Sequence, residues 1–97
     1  MFEKVLVADD DSLMLRFIVE TLRRRGIEAL AAKDGAEAIR ILETEPIDLI
    51  LSDVKMPLKT GPEVLAAAKK LHPNCIAILM TAHGTIEAAP FERKQGQ

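Results

Sequence analysis

The sequence predicts an α/β fold, a parallel sheet with helices on both faces. Three observations predict it. Short apolar runs alternate with longer stretches whose apolar residues recur at helical spacing. The runs have no polar face, as strands covered on both sides require. Three of the runs stop abruptly at polar residues, Asp9-Asp10-Asp11, Ser52-Asp53 and Thr81. Strands that alternate with helices imply right-handed crossovers and hence parallel neighbours.

Taken in order, Val5, Leu6, Val7 and Ala8 form the first strand. Leu13, Met14, Phe17, Ile18 and Leu22 then repeat along a helix capped by Asp11 or Ser12 and ended by Gly26. Met14 is expected in the core. Ile27 to Ala31 is the second strand. Asp34 with Glu37 caps a second helix, which turns Ala38, Ile39 and Leu42 inward and closes at Pro46. Leu49, Ile50 and Leu51 make the third strand. Thr60-Gly61-Pro62-Glu63 reads as a capping box for a third helix, which carries Val64, Leu65, Ala68 and Leu71 and ends before Pro73. Cys75 to Met80, the fourth strand, includes Met80 as a core residue. Gly84 to Ala89 is expected to form a helical stub that Pro90 stops.

Ninety-seven residues suit one compact domain, and a hydrophobic fraction of 48% allows a core. Aromatics are 3%, so Val, Ile, Leu and Ala must do the packing. A net charge of −2 gives no electrostatic footprint for nucleic acid or an anionic membrane. Arg23, Arg24 and Arg25 fit a solvated helix C-terminus, where cations complement the dipole. Cys75 is the only cysteine, which rules out an intrachain disulfide, and it reads as a buried strand residue. His72 and His83 read as surface residues, Lys55 and Lys59 as solvated loop lysines. With no signal peptide and no apolar segment of membrane-spanning length, a cytoplasmic location is expected.

Ligands of open α/β sheets bind beyond the carboxyl ends of the strands, near the point where strand order reverses. In the flavodoxin-like order 2-1-3-4, the first, third and fourth strands are neighbours, each step about 5 Å. Asp9 and Asp10, Asp53 and Thr81 would then converge on one spot. Carboxylates that close cannot all stay ionised cheaply without a cation. Oxygen-only ligands suit a hard divalent ion, and Mg²⁺ fits best because it keeps waters and phosphate oxygens in its shell.

The motifs carry a more specific resemblance. Val5-Leu6-Val7-Ala8-Asp9-Asp10-Asp11 resembles the acidic opening of response-regulator receiver domains of two-component signalling. Asp53-Val54-Lys55-Met56-Pro57-Leu58-Lys59-Thr60-Gly61 is similar to that family's phosphoacceptor loop, and Leu79-Met80-Thr81-Ala82 to its fourth-strand ending. The resemblance runs from Lys4 to Ala89. It implies that Asp53 accepts phosphate from a histidine kinase or a histidine phosphotransfer protein. It further implies Mg²⁺ on Asp10, Asp53 and the Lys55 backbone carbonyl, with Asp9 helping directly or through water. Thr81 would bind the phosphoryl oxygen as the switch residue, and small Ala82 would leave room for the movement. So read, the protein is a signalling receiver and not an enzyme. Residues 1–89 would form the receiver-like domain and residues 90–97 a divergent, flexible tail.

The end of the chain departs from that pattern. Pro90-Phe91 resembles the residues just after the family's active-site lysine, and Ala89 stands where that lysine would be. The sequence thus offers no such lysine, and the fifth strand and fifth helix are expected to be missing. Weaker electrostatic support for the transferred group and impaired switching follow. The fourth strand would become an apolar edge, and self-association would bury it. Two other readings compete. A pseudo-receiver would keep the fold as an interaction or dimerisation module without phosphate. A haloacid-dehalogenase-like phosphatase would use Asp9 of Asp9-x-Asp11 as nucleophile, in a chain short for that fold.

Overall fold

The computed structural model describes residues 4–56 and 58–80 and the backbone of residues 86–88. The elements run β1 (Lys4–Ala8), α1 (Ser12–Arg24), β2 (Glu28–Ala32), α2 (Gly35–Thr44), β3 (Leu49–Asp53), α3 (Gly61–Leu71), β4 (Ile76–Met80) and β5 (Ile86–Ala88). The first four strands are parallel in the order β2-β1-β3-β4, the order expected from the sequence.

Alternation along the strands sorts the core into two layers. Leu6, Ala8, Ile50 and Ala77 turn toward α2 and α3, where Ala38, Leu42, Val64, Leu65 and Ala68 meet them. Val5, Val7 and Leu49 turn to the other face, covered by Val19 and, less completely, by Leu15, Ile18 and Leu22 of α1. Val5, Leu6, Val7 and Ala8 are all fully buried, which is why β1 shows no polar position.

The helix ends follow the cap chemistry. Asp11 caps α1, its carboxylate accepting from the N–H groups of Leu13 and Met14. Gly26 ends it with φ +80°, a conformation that glycine adopts without a Cβ clash. Asp34 accepts from the Glu37 N–H, while the Glu37 carboxylate reaches back to the Lys33 N–H. Thr60 and Glu63 form the reciprocal capping box of α3.

Several expectations are corrected. Ile86–Ala88, read as part of a helical stub, form a strand antiparallel to β4, pairing with Ile78, Leu79 and Met80. The open outer edge of β4 supplies unpaired backbone donors and acceptors, and that demand outweighs the helical preference of Glu and Ala. The edge beside Ile78–Met80 is therefore occupied. Met14 is 45% exposed and not core, and Leu13 and Phe17 of the same helix are exposed at 76% and 66%. The helix has two apolar stripes, and Leu15, Ile18, Val19 and Leu22 take the sheet. Met80 is only half-buried. His72, read as a surface residue, caps the end of α3 and holds the Leu42 carbonyl of α2 at 2.7 Å through Nε2. Cys75 is buried as expected, and burial together with the charge of Asp48 pushes its thiol up to about 11. No described helix is long and apolar enough to cross a membrane.

Candidate metal centre

The register of the central strands builds the site. Ala8 stands opposite Ser52, and Asp53 opposite Met80, so the residues that leave β1 and end β3 emerge side by side. Asp9, Asp10 and Asp53 each offer a carboxylate oxygen, and these oxygens lie within 4.8 Å of one another. Asp9 is buried, Asp53 half-buried and Asp10 exposed. The cluster thus grades from the protein interior to solvent, and one side remains open to an incoming group.

Local hydrogen bonding holds the acids in place. The Asp9 N–H donates to the Ala32 carbonyl at 3.1 Å, tying the exit from β1 to the end of β2. The Asp9 carboxylate accepts from the Asp11 N–H at 2.9 Å, which bends the chain into α1. Burial holds the Asp9 carboxyl above the ordinary carboxylate range, the Asp11 N–H opposes this, and the charges of Asp53, Asp10 and Asp11 add to the rise. A group already strained by burial and by like charge gains from a cation more than an isolated surface carboxylate would. Three oxygen donors at this spacing fit a hard divalent ion.

The loop leaving β3 is fixed at its start. The Val54 N–H donates to the Met80 carbonyl at 3.0 Å, and the Gly61 N–H to the Val54 carbonyl at 2.9 Å. Met56 turns into the α2–α3 core, 7% exposed. Lys55, between these two anchors, carries its side chain in solvent. Thr81 and Ala82, expected as the switch, and Ala89, expected in place of the lysine, lie outside the described residues. So do His83 and the chain from 89 to 97.

Two supporting roles escaped the sequence reading. Ser52 is fully buried, and its hydroxyl donates to the Asp53 carbonyl at 3.0 Å. A Cβ on Gly61 would overlap that same carbonyl and stand 3.0 Å from the Val54 Cα. A serine at the last position of an apolar run was a usable signal for the first. The second depends on a close approach that no local pattern encodes.

Far from the acids, at the amino ends of the strands, an open cavity of about 290 Å³ is lined by Lys4, Glu28, Pro46 and Asp48. Lys4 pairs there with Glu45 at 2.8 Å and Glu28 at 3.8 Å. Five strand residues, roughly 16 Å, separate this cluster from the carboxylates.

The family model described as the response regulator receiver domain matches residues 5–96. The chain is 35% identical over 92 residues to the transcriptional regulatory protein GlrR of Escherichia coli, matching 95% of this chain and 21% of that protein. It is 31% identical over 96 residues to sporulation initiation phosphotransferase F of Bacillus subtilis, matching 99% of this chain and 77% of that protein. Among solved structures, the response regulator protein TrrA of Thermotoga maritima in complex with Mg²⁺-BeF superposes with a TM-score of 0.76 at 31% identity. That match covers 82% of this chain and 70% of the other. The chain spans about a fifth of the length of GlrR and of the transcriptional regulator NtrC of Escherichia coli.

Proposed function

This chain belongs to the response regulator receiver domain family, and we propose that it accepts a phosphoryl group on Asp53 with Mg²⁺ bound beside it. Receiver domains are signalling modules and not enzymes, and histidine kinases phosphorylate them. The observation that carries the proposal is the convergence of the Asp9, Asp10 and Asp53 oxygens within 4.8 Å.

Asp9, Asp10, Asp53 and the Lys55 backbone carbonyl would hold the ion. When bound, Mg²⁺ neutralises charge on the phosphoryl oxygens. The chain's own groups do the rest. A carboxylate oxygen of Asp53 forms the new bond to phosphorus while the phosphorus–nitrogen bond of a phosphohistidine donor breaks. The departing electron pair stays on the imidazole nitrogen, which takes up a proton. Ser52 and Gly61 fix the Asp53 backbone, so the attacking carboxylate is held by its strand. Thr81 receives the phosphoryl oxygen, and Ala82 leaves space for the loop to follow. The donor is a histidine kinase or a histidine phosphotransfer protein, and the compartment is the cytoplasm.

Ala89, in the place of the family's active-site lysine, weakens support for the phosphoryl charge and impairs switching. Residues 1–89 constitute the functional unit in this reading. Self-association through the apolar side chains left open on α1 and β4, Phe17 and Ile76 among them, completes it. Sedimentation at low micromolar concentration tests that part, and a strict monomer refutes it.

The central experiment is incubation with acetyl phosphate and Mg²⁺, followed by intact mass. One phosphoryl group is expected on the wild type and none on Asp53→Asn. Equal uptake by the variant removes Asp53 from its role. A wild type that binds no Mg²⁺ and takes up no phosphate is a pseudo-receiver, the reading that Ala89 favours.

A further inference from the structure

The loop from β3 to α3 is pressed against the first turn of α2. Gly35, the first residue of that helix, is buried, and a Cβ built on it would overlap the Lys59 carbonyl oxygen, its carbonyl carbon and its Cβ. Two of these three atoms are backbone, so rotating the lysine side chain cannot relieve the overlap. The other leg of the loop has no slack either. Val54 is bonded to Met80 and Gly61, Met56 is anchored in the core, and Gly61 abuts the Asp53 carbonyl. Between the two legs, Leu58 is held at φ +73°, in the left-handed region that a leucine rarely occupies.

We propose that Gly35 is a positioning residue for the metal centre. By letting the start of α2 lie in contact with Lys59, it sets where the loop runs and so where the Lys55 carbonyl stands. This rests on the reading of that carbonyl as a Mg²⁺ ligand. Any side chain at residue 35 must push Lys59 away. Thr60 and Gly61 are locked by the capping box and by Asp53, so the displacement passes toward Lys55 or tilts α2. Mg²⁺ demands near-ideal octahedral geometry, and a ligand moved by a fraction of an ångström is felt as lost affinity.

The test is a Mg²⁺ titration of the whole chain, read by amide NMR shifts of Val54, Lys55 and Met56. It compares wild type with Gly35→Ala at a temperature where circular dichroism shows both to be folded. The expected result is a Kd at least fivefold weaker for the variant. A glycine needed only for packing would lower the Tm and leave the Kd within twofold, and that outcome overturns the proposal. If Gly35→Ala does not fold, Leu58→Gly tests the same path by loosening the link between the Lys59 contact and Lys55. Leu58 is 72% exposed, so its loss leaves the core intact. A loosened link should weaken Mg²⁺ at least threefold with no fall in Tm, and an unchanged Kd refutes the assignment. A wild type that binds no Mg²⁺ ends both this inference and the proposed function; a wild type that binds while the variants match it ends this one alone.

Discussion

Asp9 shows how one residue can be unfavourable for the fold while belonging to the acidic cluster. Its carboxyl is buried and faces the charges of Asp53 and Asp10, so the folded chain holds its proton more tightly than the unfolded chain does. Between the unfolded value and the raised folded value, the folded state binds more protons. Stability therefore falls as pH rises through that window and stays reduced above it. Asp9→Asn removes the charge and keeps an acceptor for the Asp11 N–H. Without divalent cations at pH 7, the variant should therefore melt above wild type. Near pH 3, where wild-type Asp9 is neutral in both states, the gap should close. Thermal melts in EDTA at both values decide it, and a lower Tm for the variant at pH 7 contradicts the account. At this scale the acids were legible in the sequence, because they stand at the ends of two apolar runs that the expected strand order makes neighbours. Ser52 was less so: a small polar residue in a strand says nothing about which carbonyl it holds until the strand and loop are placed.

Elements were legible where a local pattern matched the tertiary demand. The first four strands and three helices stand within a residue or two of where periodicity and caps put them, and Thr60 with Glu63 marked the start of α3 outright. The pattern failed on α1, where Leu13, Met14 and Phe17 share helical spacing with the residues that are packed. A helix with two apolar stripes does not say which one meets the sheet. It failed again at Ile86–Ala88, whose strand character comes from pairing with β4 and not from its own residues. The loop from β3 to α3 is the element with stored strain, because Leu58 is held at φ +73° with its side chain 72% exposed. A left-handed leucine costs roughly 1–2 kcal/mol, and glycine there loses about 0.5–1 kcal/mol through the freedom of the unfolded chain. Leu58→Gly should therefore raise the urea midpoint by the equivalent of about 0.5–1 kcal/mol, with an unchanged m-value. A fall in the midpoint would mean that the exposed side chain makes contacts that outweigh the backbone strain.

At the scale of the whole molecule, the site joins parts of the chain that are distant in sequence. Asp9 and Asp10 follow β1 and Asp53 ends β3, with α1, β2 and α2 between them. The unfolded chain cannot present three carboxylates at 4.8 Å, so a cation bound there favours the folded state by mass action. For a single site well above its Kd, each tenfold rise in Mg²⁺ adds about 1.4 kcal/mol of stability. In a domain of this length that is roughly 5–10 °C of Tm per decade. The dependence should vanish in Asp53→Asn and flatten in Asp9→Asn, and the latter makes a sharper test. Asp9→Asn begins above wild type in EDTA and gains less from the ion, so the two melting curves must cross as Mg²⁺ is raised. Parallel curves would show that Asp9 is a burdened carboxylate with no part in binding. A crossing would show that the electrostatic cost of the empty cluster is what the cation recovers, and that the same three side chains set both the stability of the fold and its response to the ion.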